Sequence, residues 1–121
     1  MIKKILITYF LYSILTISAF SAGSDGGDGK TKVKSNYDKA VAHVKVAKNY
    51  EEKGKLKKAN KNYEKARKFL KISNDMKPNN ADTLNYLGFT TRKLGDYENG
   101  EKYYLQGLAL NPNHIGINEY L

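Results

Sequence analysis

The chain has 121 residues, a formal net charge of +9 and no cysteine. Without cysteine it can form neither disulfides nor thiolate metal sites, and cysteine usage does not indicate a redox compartment. The charge is uneven: residues 30–77 hold 16 basic and 5 acidic side chains (+11), residues 78–121 hold 3 and 5 (−2), and residues 1–29 sum to zero. No basic motif interleaved with aromatic residues of the RNA-binding type is present, which argues against a nucleic-acid partner.

Residues 1–22 have the pattern of a secretory signal peptide. Lys3 and Lys4 precede an apolar run from Ile5 to about Phe20, and small residues follow up to Ala22. A retained membrane anchor is the alternative, but the run is shorter than the roughly 20 apolar residues that a spanning helix needs. We therefore expect export to the periplasm or secretion, with removal of this segment.

Residues 23–36 are rich in Gly, Ser, Asp and Lys, a composition typical of a flexible linker. Residues 24–31 differ from a phosphate-binding loop only by Ser24 in place of the first glycine. That chemistry needs a buried strand before the loop and a helix after it, and a cleavage site precedes it here. Asp25 and Asp28 are two carboxylates in the predicted linker, and a flexible linker would make a poor calcium site. We expect no cofactor and no metal.

Residues 40–78 show a helical pattern of small and large residues on both sides of a turn. The residues that carry it are Ala47, Tyr50, Gly54, Leu56, Ala59, Tyr63 and Ala66. The spacing predicts two helices joined near Gly54. Leu70, Ile72 and Met76 continue the apolar stripe, so we expect the second helix to extend toward Pro78 rather than to end in a loop.

Residues 80–114 repeat this order more clearly. Leu84, Leu87 and Gly88 fall on one side of a first helix, where a glycine lets a second backbone approach closely. A Gly95-Asp96-Tyr97 turn follows. The second helix carries Gly100, Tyr104, Gly107, Leu108 and Leu110 at helical spacing, and Pro112 ends it.

This downstream stretch resembles one unit of the tetratricopeptide repeat family, a helix pair of 34 residues. The upstream stretch fits the same template 41 residues earlier (81 − 40), so its seven surplus residues predict about two extra helical turns. The downstream unit departs from the family at Leu84, Thr91, Gly100 and Gly107; each helix glycine costs about 1 kcal/mol relative to Ala.

The resemblance implies an all-α fold of antiparallel helix-turn-helix repeats, a TPR-like α-solenoid over residues 37–121. It contains about two repeats, and Ile115–Leu121 looks like the opening of a third. Three repeats are normally needed for stability. We therefore expect a truncated copy of a longer solenoid; the alternative is a partner that covers the apolar face of Tyr104, Leu108 and Leu110. The oligomeric state is left open.

The family's pattern also assigns roles to residues of this chain. Packing positions between helices correspond to Ala47, Tyr50, Ala59, Tyr63, Ala66, Leu87, Gly88, Tyr104 and Pro112. The family binds ligands in a groove lined by its first helices. The matching positions are Val41, Val44, Lys48, Glu51 and Glu52 upstream, and Asp82, Asn85, Phe89, Arg92 and Lys93 downstream. The favoured groove candidates are Val44, Lys48, Asn85, Phe89, Arg92 and Lys93.

Such a groove would take a protein or an extended peptide, with Phe89 as an apolar anchor. The family's clamp for chaperone C-terminal carboxylates needs a Lys and Asn pair where Val44 and Lys48 stand, which disfavours that ligand. Six lysines lie largely off the apolar face of the upstream second helix: Lys57, Lys58, Lys61, Lys65, Lys68 and Lys71. They are interpreted first as a solvated face, and alternatively as a docking surface for anionic membranes or an acidic partner.

Catalysis has little support in the sequence. His43 and His114 are the only histidines, and neither has a partnered nucleophile or a metal-ligand spacing. Both fit core or capping roles. The sequence therefore predicts a non-catalytic scaffold of the cell envelope that binds a protein or peptide. The alternatives are a basic module that docks to anionic surfaces, and a non-functional repeat fragment.

Overall fold

The computed structural model describes residues 33–121 and contains five α-helices. They are α1 (Asn36–Glu52), α2 (Leu56–Met76), α3 (Ala81–Lys93), α4 (Tyr97–Leu110) and α5 (Ile115–Tyr120). The described residues contain no strand, and the all-α helical-repeat prediction is confirmed. The predicted signal peptide and most of the predicted linker lie outside the described residues. None of the five helices is both long and apolar enough to cross a bilayer.

Helices α1 and α2 form an antiparallel hairpin. Ser35 begins α1 with a capping box, in which its side chain accepts from the Asp38 backbone N–H and the Asp38 carboxylate accepts from the Ser35 N–H. Gly54 turns the chain at φ +70°, a conformation that favours glycine. The alanines at the predicted packing positions, Ala47, Ala59 and Ala66, are at most 1% exposed, which lets the two helices approach closely.

Helix α2 runs for 21 residues, so the predicted extension toward Pro78 is confirmed. Leu70 in this extension is fully buried, and Phe69 stacks on His43 of α1 with ring centroids 5.8 Å apart. The predicted stripe does not continue beyond them. Ile72 is 46% exposed and Met76 is 72% exposed, because the helical spacing places both away from the buried side of α2 that carries Leu70.

Helices α3 and α4 form the second hairpin. Asn80 caps α3 by accepting from the Thr83 N–H, and Asp96 caps α4 by accepting from the Asn99 N–H. Between the helices, Gly95 has φ +92°. The Gly88 carbonyl oxygen would lie 3.0 Å from a Cβ at Gly100, so the backbone of α4 approaches closely, as expected. Gly88 also faces an aromatic side chain of α4. A Cβ there would lie 2.5 Å from Cδ1 of Tyr104, so the missing side chain makes room for an aromatic ring on α4.

Helix α5 packs where a third repeat would begin. Its Ile117 is fully buried and occupies the space beside Gly107 that a Cβ would fill. His114 caps the helix through Nδ1, which accepts from the Ile117 N–H (3.2 Å). Of the apolar face named in the sequence analysis, Tyr104 is 1% exposed and stacks against Tyr120 of α5, Leu108 is half-buried, and Leu110 is 45% exposed.

The core is one cluster that spans both hairpins. The predicted packing residues Tyr63, Leu87 and Tyr104 lie in it, and Tyr50 is half-buried at its edge. Pro112 is exposed just after α4, where it blocks continuation of the helix.

Candidate functional site

Helices α1, α3 and α5 lie side by side and run in the same direction. In α1 and α3, Tyr37 near the start of α1 meets Tyr86 midway along α3, and Glu51 near the end of α1 meets Lys93. In α3 and α5, Asn85 lies against Gly116, and Arg92 farther along α3 meets Tyr120 at the end of α5. The side chains along these helices enclose a cavity of about 790 Å³. We call it the first-helix groove; its lining residues are Lys48, Glu51, Glu52, Phe89, Arg92, Lys93, Tyr97, Tyr104, Glu119 and Tyr120.

Phe89 forms the floor of the groove. Its ring is packed edge-on against Tyr63 (5.9 Å between centroids) and tilted against Tyr120 (5.3 Å). The ammonium groups of Lys48 and Lys93 lie 4.8 and 5.6 Å from the same ring centroid. With 7% of the residue exposed, Phe89 offers a ligand only a small apolar contact.

Glu51 joins three helices at one wall of the groove. Its carboxylate accepts from the Tyr63 hydroxyl of α2 (2.6 Å) and from Lys93 Nζ of α3 (2.6 Å). The hydrogen bonds from Lys93 and Tyr63 hold the pKa of the Glu51 carboxyl below its ordinary value. Burial, followed by the bond to Glu51, raises the pKa of the Tyr63 hydroxyl. Glu51 therefore stays ionised and ties the first hairpin to the second.

Arg92 is fixed at the opposite wall. Its guanidinium donates to the Tyr120 carbonyl (2.5 Å) and lies 5.7 Å from the ring centroid of Tyr97 and 5.8 Å from that of Tyr104. The aliphatic stem of Arg92 fills the space above Gly100, where a Cβ would collide with it. Burial raises the pKa of Tyr104 to about 12. This guanidinium is held in place before any ligand arrives.

Three charged groups at the rim are open to a ligand. Lys48, Glu52 and Glu119 are exposed, and none of them forms an ion pair within residues 33–121. Together with the fixed charges of Arg92 and Lys93, they give the groove both signs of charge around an aromatic floor. Such a surface suits a polar peptide better than an apolar small molecule.

The structure brings together four of the six favoured groove candidates: Lys48, Phe89, Arg92 and Lys93. Val44 is 3% exposed and lies in the core, because α1 is covered by both α2 and α3. Asn85 faces the start of α5, where its side chain lies against Gly116. Neither of these two lines the groove.

The other first-helix positions that the repeat pattern assigns to the groove also lie partly inside it and partly outside it. Glu51 and Glu52 line the groove, whereas Val41 is half-buried outside it. Asp82 lies outside as well, and its carboxylate is 2.7 Å from Nε2 of His114.

Sequence reasoning missed the groove residues that come from α4 and α5: Tyr97, Tyr104, Glu119 and Tyr120. Glu119 and Tyr120 could have been predicted as groove residues, because the sequence from Ile115 looks like the start of a third repeat, whose first helix would lie beside α3. Tyr97 and Tyr104 could not have been predicted, because the repeat pattern assigns their positions to the turn and to the core.

The two histidines have structural contacts. Nδ1 of His43 lies 3.1 Å from the side-chain oxygen of Asn62, and its ring stacks on Phe69. His114 caps α5, as described above. Within residues 33–121, no three His, Asp or Glu side chains converge into a cluster that could hold a metal ion.

The fold and the groove define a helical-repeat scaffold, whose stacked first helices present a binding surface. Residues 81–114 match the family model described as "Tetratricopeptide repeat". Residues 81–114 therefore form a tetratricopeptide repeat, and the resemblance seen in the sequence is confirmed for this stretch. No curated protein and no solved structure matched the chain. Proteins of this family are typically non-catalytic scaffolds that mediate protein–protein interactions.

Proposed function

We propose that the first-helix groove binds an extended segment of a partner protein, without catalysis. The observation that carries this proposal is the cavity of about 790 Å³ to which α1, α3 and α5 all contribute. Neighbouring helices pack about 8–10 Å apart, so three of them span about 20 Å. An extended chain advances about 3.3 Å per residue, so about six residues of a peptide fit across the groove.

The charges of the groove define what the peptide must carry. Lys48 at one rim and the fixed Arg92 at the other wall favour carboxylates, while Glu52 and Glu119 favour a cationic side chain. Because Phe89 is nearly covered, polar contacts decide which peptide binds, and a small apolar side chain suffices at the floor.

The test is selection of peptides on the immobilised chain from a random peptide library, followed by calorimetry on the enriched sequences. We expect Lys48→Glu to weaken binding at least about tenfold, since it replaces an attractive rim charge with a repulsive one. Lys45→Glu is the matched control, because Lys45 is exposed on the same helix and does not line the groove. No enrichment, or equal losses in both variants, would remove the groove as the binding site.

We also propose that the chain works outside the cytoplasm, in the periplasm or as a secreted protein. The support is the sequence of residues 1–22, with two lysines, an apolar run and small residues at its end. The intact mass of the protein recovered from its producing cells tests this. We expect the mass of residues 23–121; the mass of the full chain would contradict removal of the segment.

A further inference from the structure

The side of α2 that faces away from the core carries a row of cations. Lys57, Lys61, Lys65 and Lys68 recur every three or four residues and so lie along one side of the helix, flanked by Lys58 and Lys71. All six are exposed, and we call them the lysine face. At 1.5 Å per residue, the face extends over about 21 Å. The buried residues of α2 lie on the opposite side: Ala59, Tyr63, Ala66 and Leu70.

No carboxylate neutralises this face within the described chain. Helix α2 contains only two acidic residues, Glu64 and Asp75, and neither forms an ion pair with a lysine of the face. The ion pairs of residues 33–121 involve Lys93, Lys102 and His114 instead. A purely solvated face would gain from salt bridges four residues apart, and this one has none.

Two exposed apolar side chains follow the lysines toward the end of α2. Ile72 follows Lys68 by four residues and Met76 follows Ile72 by four, so both lie on the same side of α2. Ile72 is 46% exposed and Met76 is 72% exposed. Binding to an anionic membrane surface increases with both electrostatic attraction and buried apolar area, and this side of α2 can supply both.

We propose that the lysine face of α2 docks the protein onto a bilayer of anionic phospholipids. The ammonium groups contact the lipid phosphates, and Ile72 and Met76 enter the boundary between headgroups and acyl chains. An acidic protein would use the cations but would have no need of exposed aliphatic side chains beside them. None of the residues lining the first-helix groove belongs to α2, so a peptide and a membrane can be bound at the same time.

The test compares partition of the full chain into vesicles that contain phosphatidylglycerol and vesicles of phosphatidylcholine alone. Residues 1–22 are the same in every variant, so the change in the ratio of the two partition coefficients between variants reports the contribution of the substituted lysines. Removing one cation near an anionic surface lowers affinity about fivefold. We therefore expect the triple variant Lys57→Gln, Lys61→Gln, Lys65→Gln to lower the ratio about a hundredfold.

The matched control is Lys45→Gln, Lys53→Gln, Lys102→Gln, which removes the same charge from exposed positions outside the lysine face. We expect this control to lose less than about tenfold, with far-UV circular dichroism spectra unchanged in both variants. No preference of the wild-type chain for phosphatidylglycerol, or equal losses in the two triple variants, overturns the proposal.

A second variant separates a membrane from an acidic protein. Met76→Ser removes an apolar side chain and no charge, so it should weaken partition into phosphatidylglycerol vesicles by about tenfold. It should leave binding to poly-glutamate unchanged. If poly-glutamate binds through the lysine face while the vesicles do not, the face is a protein-docking surface and the membrane proposal is wrong.

Discussion

Replacing Gly88 with alanine should have two opposing effects on stability: higher helix propensity stabilises the fold, and overpacking of the core destabilises it. A Cβ at position 88 would lie 2.5 Å from Cδ1, 2.6 Å from Cε1 and 2.9 Å from Cγ of Tyr104. Carbon atoms in ordinary contact are about 3.5–4.0 Å apart, so the ring would have to retreat by about 1 Å. Tyr104 is 1% exposed and stacks on Tyr120 with centroids 6.3 Å apart, which leaves the ring little room to move.

The two effects have opposite signs. An alanine in a helix interior is favoured over glycine by about 1 kcal/mol, whereas overpacking a core costs about 1–3 kcal/mol. Because the obstacle is a rigid, enclosed ring, we expect the upper part of that range and a net loss of about 1–2 kcal/mol. For a domain of this size, that lowers the Tm by about 4–16 °C.

Thermal and urea unfolding followed by circular dichroism at 222 nm measures this loss. Tyr104→Ala removes Cγ and every ring atom that opposes the new Cβ, so Gly88→Ala made in the Tyr104→Ala background should no longer destabilise the protein. If Gly88→Ala raises the Tm, or destabilises both backgrounds equally, the reasoning is refuted.

Three further predictions concern stability. Because the pKa of the Glu51 carboxyl is held below its ordinary value, its interaction with Lys93 and Tyr63 stabilises the fold above the unfolded-state pKa of 4.5 and is lost as the pH falls through the folded-state pKa. Glu51→Gln should therefore lower the Tm at neutral pH and approach the wild-type Tm in acid; a constant difference at all pH values would contradict this. Asn80→Ala removes the cap of α3 and should cost about 1 kcal/mol in urea unfolding, and Asn80→Asp should restore most of it. Burial raises the pKa of Tyr37 to about 12, so the stability contributed by its neutral hydroxyl is complete below the ordinary pKa of 10.0 and is lost as the pH rises through the folded-state pKa. Tyr37→Phe should make the alkaline decline of the Tm less steep, and an unchanged decline would count against burial as the cause.

The helices and their turns could be predicted because the signals are local. Gly54 and Gly95 mark the two turns, and both have the positive φ that glycine tolerates. The length of α2 followed from arithmetic, since seven residues beyond a 34-residue template amount to about two helical turns. In these cases each residue depends on neighbours three or four positions away, which a single sequence contains.

The groove was only partly predictable, since its lining depends on how the hairpins stack. Val44 matched a groove position, yet it is buried because α1 is covered on two sides. Tyr120 entered the groove because α5 packs beside α3, and its contacts with Phe89 and Arg92 join positions about 30 residues apart. Gly107 looked like a simple loss of helix propensity, whereas it makes room for Ile117. Contacts between residues so far apart in the sequence are set by tertiary packing, which overrides local helix propensity.

Helix α5 is the least stable part of the groove wall. It has six residues, too few for an isolated helix to be stable in water, and it is held in place by the buried Ile117 and by the bond from Arg92 to the Tyr120 carbonyl. Fraying of its last turn would release the Tyr120 ring and uncover Phe89 and Tyr104 beneath it. The recess would then become deeper and more aromatic, so a ligand that prefers aromatic contacts would favour the unwound turn.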